Sequence, residues 1–390
     1  MPADNPVPGT LQKETMTSKT TLTVPKKPSD AYLALMGEWP KRIPHWEHMS
    51  NPDFIELVSG VDPYEKPRTA ALKVAEQYNI DFGPGIPADD TPIPRPQMGE
   101  GTEADQEGRR RTRWGTSYTG YWDWGKRFHT MEEVLAYEPL KNLDLRKGDI
   151  VENRDYSMSE DELFRNYGGK QDGELPPEGE VRGAWFYNTM FMWPLLTFGW
   201  ELFLELAAAH KDHLRRLLED FAEINRKVFS AFARLPVNMV TCHDDICNTR
   251  GPTCSPAWLR EFIYPYYEEF FAIIKSRGPK RIIFMSDGNV DQVADDVKAC
   301  GADGFVSEPY TDWKAIARKH PEAVISGEGD NRILSRNNRK EIEAMVRSMV
   351  ETAQMTGGYF MCIGNHIPWN VPAEAVKLYF DLSKELAVRP

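Results

Sequence analysis

Six short apolar runs in the second half of the chain constrain its fold more than any other feature. They are 181–191 (VRGAWFYNTMF), 235–245 (LPVNMVTCHDD), 280–288 (KRIIFMSDG), 302–309 (ADGFVSEP), 322–330 (EAVISGEGD) and 357–367 (GGYFMCIGNHI). Each is too short for a buried helix, each ends in polar or charged residues, and between them lie segments with apolar residues at helical spacing, such as SPAWLREFIYPYYEEFFAIIKSRG and RKEIEAMVRSMVETAQMTG. Strand alternating with helix at this rhythm predicts a parallel sheet with right-handed crossovers. Six such units point to an α/β protein of the (β/α)8 TIM-barrel type, with an N-terminal helical and loop elaboration supplying the rest. A doubly wound sheet is the competitor, but no Gly-x-Gly-x-x-Gly follows a strand and no Walker-type Gly-Lys-Ser/Thr loop occurs.

The first half is less regular. Residues 1–28 are polar, rich in Pro, Thr and Lys, and carry no apolar period, so they read as a flexible tail ahead of one domain over 29–390. From Ala31 to Pro87 the spacing is helical, interrupted by an extended candidate, RIPHWEHM. The Pro-, Gly- and charge-dense stretch that starts at DFGPGIP is a long loop. TRWGTSYTGYWDWG then alternates aromatic with small or polar residues, as a hairpin does; its rings serve either cross-strand packing or a wall for a flat organic substrate.

Charge and cysteine content narrow the function. Against 47 Lys+Arg stand 59 Asp+Glu, a net charge of −12, which gives no footing for a polyphosphate backbone, so nucleic acid is not an expected partner. No apolar run is long enough to span a bilayer, and the N-terminus lacks the basic and apolar regions of a secretory signal; no membrane association and a cytoplasmic location are expected. Five cysteines, an odd number spread over a long chain, predict free thiols.

In a barrel, ligands bind at the C-terminal ends of the strands. The residues there are Tyr187 and Asn188; His243, Asp244 and Asp245; Asp287 and Asn289; Glu308; Glu328 and Asp330; Asn365 and His366. Carboxylates converging on one mouth repel each other and are costly to desolvate, unless a cation or a shared proton offsets them. A metal or an acid/base pair is the natural expectation. Strand-end polar residues also cap helices, which is the better reading for Asp330 and Ser255. CHDDIC brings Cys242, His243 and Cys247 close in sequence, but neighbouring strand residues point to opposite faces, so Cys242 and His243 do not both face the mouth without a bulge.

Three ordered motifs, DDICNTRGPTCSPAWLREFIYPYYEEFFAIIKSRG, FMSDGN and GGYFMCIGNHIPWNVPAEAVKLYF, resemble the uroporphyrinogen decarboxylase superfamily, and within it the cobamide-dependent methyltransferase and O-demethylase branch. The likeness spans roughly residues 180–385. It implies a (β/α)8 barrel with its site in the C-terminal mouth. RIPHWEHM offers no counterpart to the Arg- and Asp-containing motif with which the decarboxylase grips porphyrinogen. Where thiol-activating members hold zinc with a His-x-Cys and a later Cys, this chain has Met285, Asp287 and Asn365. An oxygen-rich site suits a methyl ether better than a thiol. The resemblance therefore implies transfer of a methyl group from a methoxylated aromatic substrate to the Co(I) of a partner corrinoid protein. Zinc is the implied cofactor, on Asp287, Glu308 and His366. Asp245, His243 and Asn289 are the expected catalytic groups, and Trp114, Tyr118, Tyr187, Asn188 and Trp193 the expected substrate contacts. A second copy of the chain is a further candidate partner. A cofactor-free decarboxylase and a catalytically inactive binding barrel are the alternatives.

Overall fold

The computed structural model describes residues 28–83, 85–96, 102–104, 110–112, 122–124, 128–141, 158–170 and 179–389. The expected tail, 1–28, lies almost wholly outside them. Eight parallel strands make the core: β1 (His45–Trp46), β2 (Ile80–Phe82), β3 (Gly183–Phe186), β4 (Met239–His243), β5 (Arg281–Met285), β6 (Gly304–Val306), β7 (Val324–Ser326) and β8 (Tyr359–Phe360). β3 to β8 pair in chain order as one parallel sheet, and β1 pairs with β2. Met361 joins the two groups, accepting from the Trp46 amide at 2.9 Å and donating to the Pro44 carbonyl at 2.8 Å. At the remaining boundary, β2 to β3, side chains do the joining. The Trp46 indole meets Phe82 at 5.4 Å and Trp185 at 5.5 Å, and Phe360 of β8 at 5.9 Å. The chain is a (β/α)8 barrel.

Because strand side chains alternate between faces, each strand feeds two cores. Trp46, Met239, Ile283, Val306, Val324 and Phe360 fill the barrel interior, closed from below by Ala31, Ala34 and Leu35 of the helix Asp30–Leu35. Val240, Cys242, Ile282, Phe284, Phe305, Ile325 and Tyr359 face outward into the layer of helices. That layer includes the long amphipathic helix Lys211–Arg234, Tyr264–Lys275, Arg339–Ala353 and Ala373–Leu386. Strands this short, buried on both faces, explain why six of them read as plain apolar runs.

Two departures from the sequence reading are local. β2 is only three residues, hidden at the end of a helical stretch and visible once Asn79 adopts φ 51° and ends the helix Pro67–Tyr78. The helical spacing of GWELFLELAAAHKDHLRRLLEDFAEINRKVFSAFARL, which reads as one helix over 199–235, yields two, Trp200–Ala209 and Lys211–Arg234, breaking at His210. The aromatic segment does contain antiparallel strands, Arg110–Thr112 with Trp122–Trp124. Among the described residues no helix is long and apolar enough to cross a membrane.

Trp46 is fully buried and touches three other strands, so Trp46→Ala should cost about 3–5 kcal/mol of unfolding free energy. Trp200→Ala, at a ring 55% exposed, should change denaturant stability by less than about 1 kcal/mol.

Candidate active site at the barrel mouth

The alternation that places Met239 inside the barrel also turns Thr241 and His243 inward, so that His243 ends β4 at the C-terminal mouth. Asp244, one residue on, points the other way. Its buried carboxylate accepts from the amides of Met190, Phe191 and Met192, each at 2.7 Å, and from the Tyr267 hydroxyl at 2.6 Å. It anchors the first turn of the helix Met192–Phe198, a structural role.

Asp245 returns to the mouth. Its Oδ1 accepts from His243 Nε2 at 2.9 Å and from the Asp287 amide at 2.7 Å. Asp287, in the turn after β5, accepts from Asn365 Nδ2 at 3.2 Å. Asn365 sits in the left-handed region, φ 68°, in the segment after β8, and its Oδ1 accepts from His366 Nδ1. Ligand atoms of His243, Asp245 and Asp287 all lie within 4.8 Å of one another. Among the described residues this is the one group of three or more His, Cys, Asp or Glu so placed.

The electrostatics follow from that packing. Burial works to lower the His243 pKa, but Asp245, with Asp287 and Asp244 nearby, outweighs it and raises the imidazole above its ordinary value. Burial likewise opposes ionisation of Asp245, and His243 outweighs it, holding the carboxyl below the usual range. Asp287 lacks such a partner. Burial, and then the charges of Asp245 and Glu308, push it up to about 7. One ion pair beside one proton-holding carboxyl is the pattern of groups pushed apart by environment, which marks acid/base sites.

Other expected site residues fall elsewhere. Tyr187 lies edge-on to His243, ring centroids 4.4 Å apart, and is 40% exposed, as a substrate contact requires. Asn188, at φ 59°, is buried beside it. Trp193 is not a wall of the mouth: it is fully buried against Phe221 at 4.5 Å, because its helix packs that face into the outer core. Asn289 is spent on loop backbone, donating to the Tyr310 carbonyl at 2.7 Å and accepting from the Asp291 amide at 2.9 Å. Glu308 accepts from the Gly288 amide at 2.7 Å. With His366, Asn365, Tyr310 and Arg332 it lines an adjoining hollow of about 370 Å³. The expected trio Asp287, Glu308 and His366 is thus not the one that converges; His243 and Asp245 take the places beside Asp287. Trp114 and Tyr118 lie outside the described residues. Ser255 and Asp330 do cap helices, and all five cysteines are free thiols.

Two residues that the sequence reading passed over belong here. Trp185, 41% exposed, projects from β3 into the barrel, where it meets Trp46 and, at 5.3 Å, His48. Burial, aided by His243, lowers His48 to about 4, so its imidazole is neutral at physiological pH. Counting by twos from Trp46 finds His48, as counting by twos from Met239 finds His243.

Residues 174–386, over half the chain, match the family model described as uroporphyrinogen decarboxylase. The chain belongs to the uroporphyrinogen decarboxylase family. No curated protein matches the sequence. Among solved structures, a methyltransferase from Methanosarcina mazei superposes with a TM-score of 0.54 at 15% identity, covering 91% of this chain and 97% of that one, a likeness of fold. The family's barrel accounts for the mouth described above; in this member it is furnished with one imidazole and two carboxylates.

Glu328 also follows a strand, but it turns into the helix layer, where the Tyr359 hydroxyl donates to it at 2.7 Å and that of Thr352 at 3.0 Å. Burial raises it to about 7. A carboxyl whose folded pKa lies above its unfolded value costs stability that grows as pH rises from the unfolded value and is complete above the folded one. Glu328→Gln should therefore gain on the order of 3 kcal/mol over the parent at pH 8 and nothing at pH 4, with the gain growing between about 4.5 and 7. Unfolding in urea across that range measures it.

Proposed function

We propose that this protein is the methyltransferase component of an O-demethylating system, moving the methyl group of a methoxylated aromatic substrate to the Co(I) of a separate corrinoid protein. The observation that carries the reading is the convergence of His243, Asp245 and Asp287 at the barrel mouth, without a thiol. A methoxyl carbon is inert toward a nucleophile until its oxygen accepts a proton or a cation, because the bare phenolate leaves poorly. One imidazole and two carboxylates suit a borderline divalent cation such as zinc. Burial holds the nearby Cys242 and Cys247 thiols protonated, far from soft-metal chemistry. The likeness in fold to the Methanosarcina mazei methyltransferase supports the same reading.

Those three residues would hold the zinc, and when bound it supplies Lewis acidity to the ether oxygen. The rest is the work of the chain itself. Asp245 orients the His243 imidazole through the 2.9 Å bond, and the ring would give up its proton to ligate the metal. Asn365 fixes the Asp287 carboxyl from the opposite side of the mouth. Tyr187 and Trp185 offer half-exposed ring surface to a flat substrate and limit water around the oxygen. The corrinoid protein would dock over the mouth, its Co(I) being the methyl acceptor and the phenolate the leaving group.

A second reading is favoured by the family model's own description: decarboxylation of an electron-rich substrate, with Asp245 or Asp287 stabilising a protonated intermediate. A mouth carrying Asp245, Asp287 and Glu308 opposes a polycarboxylate substrate, which places this reading second.

Mixed with a Co(I) corrinoid protein and an aryl methyl ether, the protein should produce methylcobalt, seen as a change in the corrinoid spectrum, and should be inert alone. Release of carbon dioxide from a carboxylated substrate without corrinoid would establish the alternative. Elemental analysis should find zinc that is lost in His243→Ala and Asp287→Asn and retained in His366→Ala. Methyl transfer by His243→Ala should fall by about 10²-fold or more.

A further inference from the structure

The pairing of β1 with β8 loses its register beside the mouth. His45 pairs with Met361 and Met49 with Ile367, so four steps along the first strand face six along the second. On its other edge the second strand keeps step with β7, through Ile325 with Tyr359, Ser326 with Phe360 and Gly329 with Ile363. The two extra residues are therefore taken up against β1 alone, within the segment 362–366, where Asn365 stands at φ 68°. An insertion of this kind re-aims a side chain. Here the side chain is that of Asn365, whose Nδ2 donates to Asp287 at 3.2 Å.

The ladder breaks at Ile363. Met361 donates to the Pro44 carbonyl and accepts from the Trp46 amide, so an unbroken ladder would next pair the Ile363 amide with the Trp46 carbonyl. That amide donates instead to Glu47 Oε2 at 3.2 Å. The Glu47 carboxyl is fully buried, its Oε1 accepts from the Tyr379 hydroxyl at 2.5 Å, and its own amide is held by the Phe82 carbonyl of β2 at 2.9 Å. Burial pushes its pKa up, against the hydrogen bonds of His45, Tyr379 and Ile363, so the fold keeps a costly group at this point. Resting on the reading of the mouth as a metal centre, we infer that Glu47 is a positioning residue whose carboxyl stands in for the missing strand carbonyl, holds the 362–366 bulge in place, and so presents Asn365 to Asp287. Asn331 secures the far end of the bulge, its Nδ2 donating to the His366 carbonyl. Glu47 acts through Asn365, as the groups that orient a ligand's own partner do in metal sites.

Zinc dissociation constants, from competition with a chromophoric chelator, and crystal structures of the zinc-free proteins test this on the parent, Glu47→Leu, Glu47→Gln, Asn365→Ala and the double variant of Glu47→Leu with Asn365→Ala. Leu fills the space without an acceptor, and Gln restores one for the Ile363 amide. Glu47→Leu should weaken zinc about tenfold, as Asn365→Ala should, and Glu47→Gln should stay within about threefold of the parent. The double variant should bind no worse than Asn365→Ala alone, because both changes remove one interaction. Losses that multiply in the double variant overturn the assignment, as does a Glu47→Leu protein that melts lower yet binds zinc like the parent. Should Glu47→Leu not fold, Tyr379→Phe frees one end of the same carboxyl and should weaken zinc in the same direction, an unchanged constant there counting against the role. If the parent itself binds no zinc, the metal reading fails and the structures decide. Asn365 turned away from Asp287 in Glu47→Leu, or in Tyr379→Phe, but held at hydrogen-bond distance in Glu47→Gln upholds the positioning role; Asn365 unmoved overturns it.

Discussion

A strand in a closed parallel barrel is buried on both faces, so every second side chain is committed to the interior and the rest to the helix layer. Nearly everything about the site follows from this. Met239, Thr241 and His243 share one face of β4, and Val240 and Cys242 the other, so the imidazole arrives at the mouth while the neighbouring thiol is sealed in the outer core. The same count separates two adjacent acids. Asp244 is absorbed by three amides leading into a helix and a tyrosine hydroxyl, whereas Asp245 is delivered to His243 and to the turn after β5.

Converging these groups is costly, and their pKa shifts show how the fold absorbs the cost. His243 and Asp245 stabilise each other as ions, one raised and the other lowered. Asp287, left facing Asp245 and Glu308, holds its proton to about pH 7. A divalent cation would displace that proton and relieve the repulsion, which is why the same cluster suits metal or acid chemistry. Asn365 serves the cluster from the far side of the barrel, held in a backbone conformation that asparagine tolerates better than most residues.

The barrel itself was legible because six buried strands separated by amphipathic helices leave few other topologies. The residues at the strand ends were legible as a set, and His243, Asp245, Asp287 and Tyr187 do gather. Which three would converge was not. Glu308 and Asp287 both end strands, yet a long flexible carboxylate can reach a backbone amide as easily as a metal, and Glu308 takes the Gly288 amide. Trp193 reads like a rim aromatic until the helix that carries it turns it into the outer core. β2 and His48 went unnoticed for one reason: strands of two or three residues leave no run to count, and only the partner Trp46 reveals which way they face.

His243, Asp245 and Asp287 are proposed to form one metal-binding centre that activates an ether oxygen. X-ray absorption at the zinc edge of the metal-loaded protein tests it most directly. The proposed centre should give a shell of nitrogen and oxygen only, at roughly 2.0–2.2 Å, with the multiple-scattering pattern of a single imidazole that disappears in His243→Ala. A sulfur shell near about 2.3 Å, or an imidazole pattern that survives in His243→Ala and is lost in His366→Ala, would contradict it.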